Sequence, residues 1–233
     1  MRFSIEPVLD AFPRYRVGVV VAEGLRVPET SAPDWDAAMT GIEAAVRRRW
    51  ANVELSQIPG IADWRTAYRA FGIKRTSYRS SVERLVKNIL AGRPLPRING
   101  LVDVYNALSA EYVLPAGADD LDKVVGDLCF RPARPGDSYV RLGDETGAED
   151  PPKDGEIVYA DGEKVLCRRW NWSQDARSAV TPATRRAVVT VQSLGAAPPE
   201  RAVAALAAAL VARCGARTRS WLLDGAVPSA AIA

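Results

Sequence analysis

The sequence contains no histidine. That absence excludes a Ser-His-Asp triad, an imidazole general base and a histidine metal ligand. Cysteine is scarce: Cys129, Cys167 and Cys214 make an odd set with no close pair. Such spacing reads as reduced thiols in a cytosolic protein, with no disulfide framework and no redox or zinc site. Excess charge is missing too, and a net charge of +3 over 233 residues announces no field for DNA or an anionic membrane. The Ala-rich run near the C-terminus is too short to span a bilayer and is interrupted by Arg213. The opening, MRFSIEPVLDAFP, carries Glu6, Pro7 and Asp10, unlike a secretory leader. A Gly-rich phosphate loop and a Walker lysine are both lacking, so no cofactor is expected.

What is present is the balance of a globular chain: 48% hydrophobic and 25% charged residues. The length suits a single domain, expected over 1–225, with 226–233 a frayed tail. Tyr15 to Ala22, rich in valine, reads as a buried strand ended by Gly24. Trp35 to Val46 has an apolar helical stripe, with Asp34 a plausible cap and Arg47–Arg49 favoured at its C-terminal end. Ala62 to Phe71 reads as a short helix closed by Gly72. Ser80 to Ala91 reads as another, in which Ser80 and Glu83 have capping-box spacing.

The central stretch, RPLPRINGLVDVYNALSAEYVLPAGADDLD (Arg93 to Asp122), organises the chain. Asn99-Gly100 marks a turn, Leu101 to Tyr112 has helical periodicity, and Pro115 stops it before a Gly-Ala-Asp-Asp loop. Asp119 and Asp120 are adjacent, so their side chains diverge; the pair reads as a turn and cap before Leu121. Beyond it the pattern turns to strands. Asp127 to Ala133 and Ser138 to Leu142 alternate, and Gly143 to Gly155 reads as an exposed acidic loop. Glu156–Tyr159 and Lys164–Arg169 flank an Asp161-Gly162 hairpin turn. Ala187 to Val191 is a strong β run, Glu200 to Arg213 a helix, and Ser220 to Ala233 shows little pattern. Helices fill the first half and strands dominate the second, which is an α+β order.

These residues also carry a family resemblance. Pro96, Asn99, Val102, Asp103, Asn106, Pro115 and Asp120 resemble, in order, the motif of the B3/4 domain, the tRNA-editing domain of the bacterial phenylalanyl-tRNA synthetase beta chain. The likeness continues through Leu121, Asp122 and Ile157–Asp161 and ends near Gln192. The flanking Arg65-Tyr68-Phe71-Gly72 and Tyr78–Glu83 patterns are similar to a free-standing version of that domain. The resemblance implies a mixed sheet flanked by helices around a cleft that receives a mischarged tRNA end.

Carried over by position, the resemblance puts the pocket asparagine at Asn106, preceded by the bulky Tyr105. The family's pocket histidine falls on Gly117. Its glycine-rich turn falls near Trp170 to Gln174, where Trp172, Ser173 and Gln174 are bulky or polar. The acid that reads a tyrosine hydroxyl falls on Thr190 or Gln192, neither of which ionises.

The expected activity is hydrolysis of an aminoacyl ester in trans, with Asn106 and Asn171 or Gln174 as candidate donors to the oxyanion. Arg65, Arg69, Arg168 and Arg169 are the candidate contacts to the tRNA acceptor end. For Arg65 and Arg69, surface solubility is the plainer reading. The alternative function is a non-catalytic module that holds a free amino acid or a tRNA end.

Overall fold

Valine-rich β2 (Arg16–Glu23) has both faces buried, and its two faces serve two different cores. Val17, Val19 and Val21 point into one, and Val20 and Ala22 into the other, as the period of two requires. The computed structural model describes residues 1–73, 78–195 and 197–233. Before β2 lie β1 (Arg2–Ser4) and the short α1 (Glu6–Leu9). After it come α2 (Pro33–Trp50), α3 (Pro59–Ala70), α4 (Ser81–Leu90) and α5 (Gly100–Tyr112). The strand-rich half runs β3 (Ala116–Asp120), β4 (Leu128–Pro132), β5 (Ile157–Ala160), β6 (Val165–Arg168), β7 (Ser173–Gln174) and β8 (Arg186–Ser193). Then come α6 (Glu200–Cys214), β9 (Arg217–Leu223) and β10 (Ser229–Ala231).

The strands form two sheets. One has the order β10-β1-β4-β5-β6-β7 and is mixed, because β1 and β4 are parallel. The other, β3-β8-β2-β9, is antiparallel. Helices α5 and α6 cover its outer face, where Val104, Leu108, Leu206 and Leu210 meet Val20 and Val189. Its inner face packs on the mixed sheet and on α2, α3 and α4, around Phe130, Trp64, Met39 and Val86. The α+β class and the mixed sheet with flanking helices are as the sequence order implies, with a second sheet added.

Helix α5 is buried on nearly all sides, and its cap Asn99 and its buried Asp103 have local partners. Asn99 Oδ1 accepts from Leu101 N at 3.2 Å and Val102 N at 3.0 Å, so the Asn-Gly pair is a helix cap rather than a free turn. Gly100 is required there, since a Cβ would lie 2.7 Å from Pro28 Cδ. Asp103 is fully buried; it accepts from Ile98 N at 2.8 Å and Ser31 Oγ at 2.7 Å.

Several expectations are corrected. Residues 116–120 are no loop: they pair antiparallel with β8 along five residues. The tail does not fray, because Ser229–Ala231 pair with Arg2–Ser4 and Ile232 is fully buried. Asp34 lies inside α2, capped by Ala32, and pairs with Arg213. Ser80 starts α4 without a side-chain cap bond, and the Glu83 carboxylate is taken by Arg65 and Arg79 instead of reaching back to the cap. The stretch 138–142 makes only isolated bridges, at Val140 and Arg141.

Candidate functional site

A cavity of about 260 Å³ lies between the inner face of the β3–β8 sheet and the β6–β7 end of the mixed sheet. Strand alternation builds its floor. Gly117 pairs with Thr190, and Asp119 with Val188, so Gly117, Asp119, Thr190 and Gln192 share one face. A Cβ on Gly117 would meet nothing within 4 Å; the space over it is the cavity. Tyr105 and Asn106 of α5 close one side, and Leu166, Cys167, Ser173 and Gln174 close the other.

The connection from β6 to β7 aims the remaining groups. Arg169 (φ 46°) and Trp170 (φ 65°) are both left-handed without being glycine, a costly pair of conformations. They are pinned by Trp170 N donating to Ile157 O at 2.6 Å and by Arg169 N donating to Glu156 Oε1 at 2.9 Å. The result sends Trp170 inward, edge-on to Phe12 at 4.7 Å, Tyr15 at 4.9 Å and Trp64 at 5.2 Å. Asn171 and Trp172 turn instead to the cavity. Asn171 is held on both sides: its Oδ1 lies 3.1 Å from Tyr68 Oη, which also donates to Arg169 O at 2.6 Å, and its Nδ2 donates to Gln192 Oε1 at 3.1 Å. That leaves Nδ2 with one further N–H. Asn106 makes no side-chain hydrogen bond among the described residues.

Every residue expected to line a pocket does line this one: Tyr105, Asn106, Gly117, Trp172, Ser173, Gln174, Thr190 and Gln192, with Asn171 beside them. The expected arginines do not. Arg168 is 1% exposed and held by Glu156 at 2.9 Å, so it has no surface to offer a tRNA. Arg169 is also buried, its guanidinium carbon 3.7 Å from the Tyr78 ring centroid and 4.3 Å from that of Trp172. Arg65 is tied to the buried Glu83 at 2.7 Å, and among the described residues Arg69 reaches only Thr66, at 3.2 Å. The cations at the cavity are instead Arg84 of α4 and Arg141, both exposed. Arg84 donates to Trp172 O at 3.1 Å, and Arg141 lies 5.2 Å from the Trp172 ring centroid.

Asp119 is the other residue that sequence reading missed. It does diverge from Asp120, which accepts from Asp122 N at 3.1 Å and Thr184 Oγ1 at 2.7 Å. Asp119 Oδ1 accepts from Ser178 Oγ at 2.7 Å and Gln174 Nε2 at 3.1 Å. Burial pushes its carboxyl up to about 7, against those two donors. Burial first, and the Asp119 carboxylate second, push the phenols of Tyr105 and Tyr159 well up and the Cys167 thiol up to about 12. Cys167 is therefore a neutral thiol, not a nucleophile. Among the described residues no group of three or more acids and cysteines is arranged to hold a metal ion, and no helix is long and apolar enough to cross a membrane.

The family profile described as the B3/4 domain matches residues 63–202, more than half of the chain and all of the cavity's lining. The chain belongs to the B3/4 domain family. Within it, 94 residues are 35% identical to the phenylalanine–tRNA ligase beta subunit of Fusobacterium nucleatum subsp. nucleatum. That match covers 40% of this B3/4 chain and 11% of the ligase subunit, so the chain spans about a tenth of that relative's length. An N-terminal fragment of the phenylalanyl-tRNA synthetase beta subunit from Pyrococcus horikoshii is similar at 15% identity, with a TM-score of 0.47. That likeness covers 93% of this chain and 49% of the fragment.

Proposed function

We propose that this B3/4 protein is an aminoacyl-tRNA deacylase that hydrolyses the ester of a mischarged tRNA in trans, in the cytoplasm, as part of translation quality control. One observation carries the reading: a single cavity collects Asn106, Asn171, Gln174, Thr190 and Gln192 with two arginines at its border. Its volume suits one esterified amino acid rather than an oligonucleotide. The tRNA acceptor end, a single-stranded RNA partner, would lie outside, across Arg84 and Arg141.

The chemistry asked of the protein is modest. An aminoacyl ester is already activated, so orienting a water and the substrate's own ribose hydroxyls near the carbonyl supplies much of the acceleration. The free amide of Asn106 and the remaining N–H of Asn171 are donors for the oxyanion. With neither imidazole nor thiolate present, no covalent intermediate is invoked.

The test is deacylation of a panel of mischarged tRNAs by the purified protein. Asn106→Ala is expected to lower the rate about 10²-fold, the scale of losing one oxyanion donor. Gly117→Val, which fills the cavity where a Cβ meets nothing within 4 Å, is expected to abolish turnover while the fold is kept. Rates equal to wild type in both variants discard the assignment. The lack of a thiolate or an imidazole among the described lining groups also favours a second reading, a module that binds a free amino acid or acceptor end without hydrolysis. Thermal stabilisation by an amino acid with no turnover of any tRNA in the panel selects it.

A further inference from the structure

The cavity has two electrical ends. At its floor Asp119 is 5% exposed, and among the described residues no lysine or arginine nitrogen lies within 4.0 Å of it. Both hydrogen bonds it receives fall on Oδ1, so on this cavity-lining residue Oδ2 has no donor among the described residues. Beside it stands an independent sign of an absent partner. Tyr159 is 3% exposed and lines the same cavity, yet its buried hydroxyl has no hydrogen-bond partner among the described residues. A buried hydroxyl without a partner is uncommon and costly in folded proteins. At the mouth the sign reverses. Arg84 and Arg141 are exposed, and neither is paired to an acid among the described residues.

Resting on the deacylase reading of this cavity, we propose that Asp119 Oδ2 and Tyr159 Oη seat a cationic nitrogen of the ligand, while Arg84 and Arg141 take an anionic group outside. The carboxylate and the phenol oxygen accept from N–H groups of the cation, and the two arginines meet a phosphodiester at the acceptor end. An aminoacyl ester with a free ammonium matches this polarity. An N-acylated or peptidyl ester does not, because its amide is uncharged. The cavity therefore selects for unblocked aminoacyl groups.

The nitrogen has two possible sources, the α-ammonium or the side chain of a basic amino acid. The experiment separates them. The intact protein is titrated calorimetrically with non-hydrolysable 3′-aminoacylamino-3′-deoxyadenosines carrying phenylalanyl, tyrosyl, alanyl, seryl or lysyl groups. Each is used with its α-nitrogen free and acetylated. The free form is expected to bind at least about tenfold tighter than the acetylated form, as for a desolvated charge pair. Asp119→Asn is expected to erase that preference, and Tyr159→Phe to narrow it.

If instead only lysyl probes bind, acetylated or not, and Asp119→Asn weakens both, the side chain is the source and the seat stands. Equal binding of free and acetylated forms of a non-basic probe overturns the proposal. So does a preference that survives in Asp119→Asn, or the absence of binding by every probe. Asn matches Asp in shape and keeps an oxygen for Ser178 and Gln174; should that chain still not fold, Tyr159→Phe decides by the same criterion. Hydrolysis of mischarged tRNA without the preference sinks the seat and spares the deacylase reading. The preference without hydrolysis does the reverse.

Discussion

At the residue scale, Asp119 sets function against stability. Its carboxyl rises to about 7 because burial disfavours the charge, helped by Asp175 and Asp161 and opposed by donors from Ser178 and Gln174. The folded chain therefore holds that proton more tightly than the unfolded chain does. The stability this contributes is complete below about pH 4 and is lost as pH climbs through about 7. Asp119→Asn is thus expected to melt higher than wild type at pH 8, by about 2–8 °C for a chain of this size. The gap should close by pH 4. Scanning calorimetry of both proteins across that range measures it; a variant that melts lower than wild type at pH 8 contradicts the account. Asp119 was legible as a residue that diverges from Asp120, but its role was not. GADD reads as a turn by propensity, and only pairing with β8 turns the acid inward.

At the element scale, the β6–β7 connection does the aiming. Its two left-handed residues are held by Glu156, which is 3% exposed and accepts from Arg168 Nε at 2.9 Å, Arg168 Nη2 at 2.9 Å and Arg169 N at 2.9 Å. Removing the acid leaves Arg168 in the interior with only the largely exposed Asp150 as an acid partner among the described residues. Glu156→Ala is expected to cost about 3 kcal/mol or more in urea denaturation. A Glu156→Leu, Arg168→Met pair is expected to recover much of it, since two apolar groups leave no orphan charge. A double variant as unstable as the single one would mean that the backbone bond to Arg169, rather than the ion pair, supplies the stability. Sequence reading put Arg168, Arg169 and Trp172 together at the ligand, as one segment. The structure divides it, because a left-handed pair reverses which way successive side chains point. Nothing in the letters RRWNW announces positive φ, whereas glycines would have. The long periodic elements were legible for the opposite reason. The valine run of β2, the stripe of α4 and the β run of β8 each carry a pattern that burial alone enforces.

At the scale of the whole molecule, the two sheets share one core, and the chain's last residues help close it. Ile232 is fully buried within the same cluster as Phe3 and Phe130. Ile232→Ala is expected to cost about 2–4 kcal/mol, measured as a lower denaturation midpoint with unchanged m-value; a loss below about 0.5 kcal/mol would restore the view of a loose tail. That strand was illegible because three residues, SAA, carry no β signal of their own and are fixed only by pairing with β1. The cavity was more legible than the topology. Its lining comes from α5 and the later strands, where the ordered motif from Asn99 to Gln192 fixes relative positions without fixing strand order. The arginines at its border were not legible, because solvent-facing cations, on a helix for Arg84 and in a connection for Arg141, look alike until the neighbouring sheet is in position.

The ends of the chain meet: the Met1 amine donates to Ala233 O at 2.8 Å, and Ile232 N donates to Met1 O at 3.1 Å. They do so along β10 and β1, at the margin of the mixed sheet opposite β7. Three strand spacings, roughly 14 Å, separate that margin from β5, whose Tyr159 lines the cavity, and five, roughly 24 Å, separate it from β7. An affinity handle or sensor-chip tether attached at either terminus thus departs from the same spot, with the mouth of the cavity left clear for a docking tRNA.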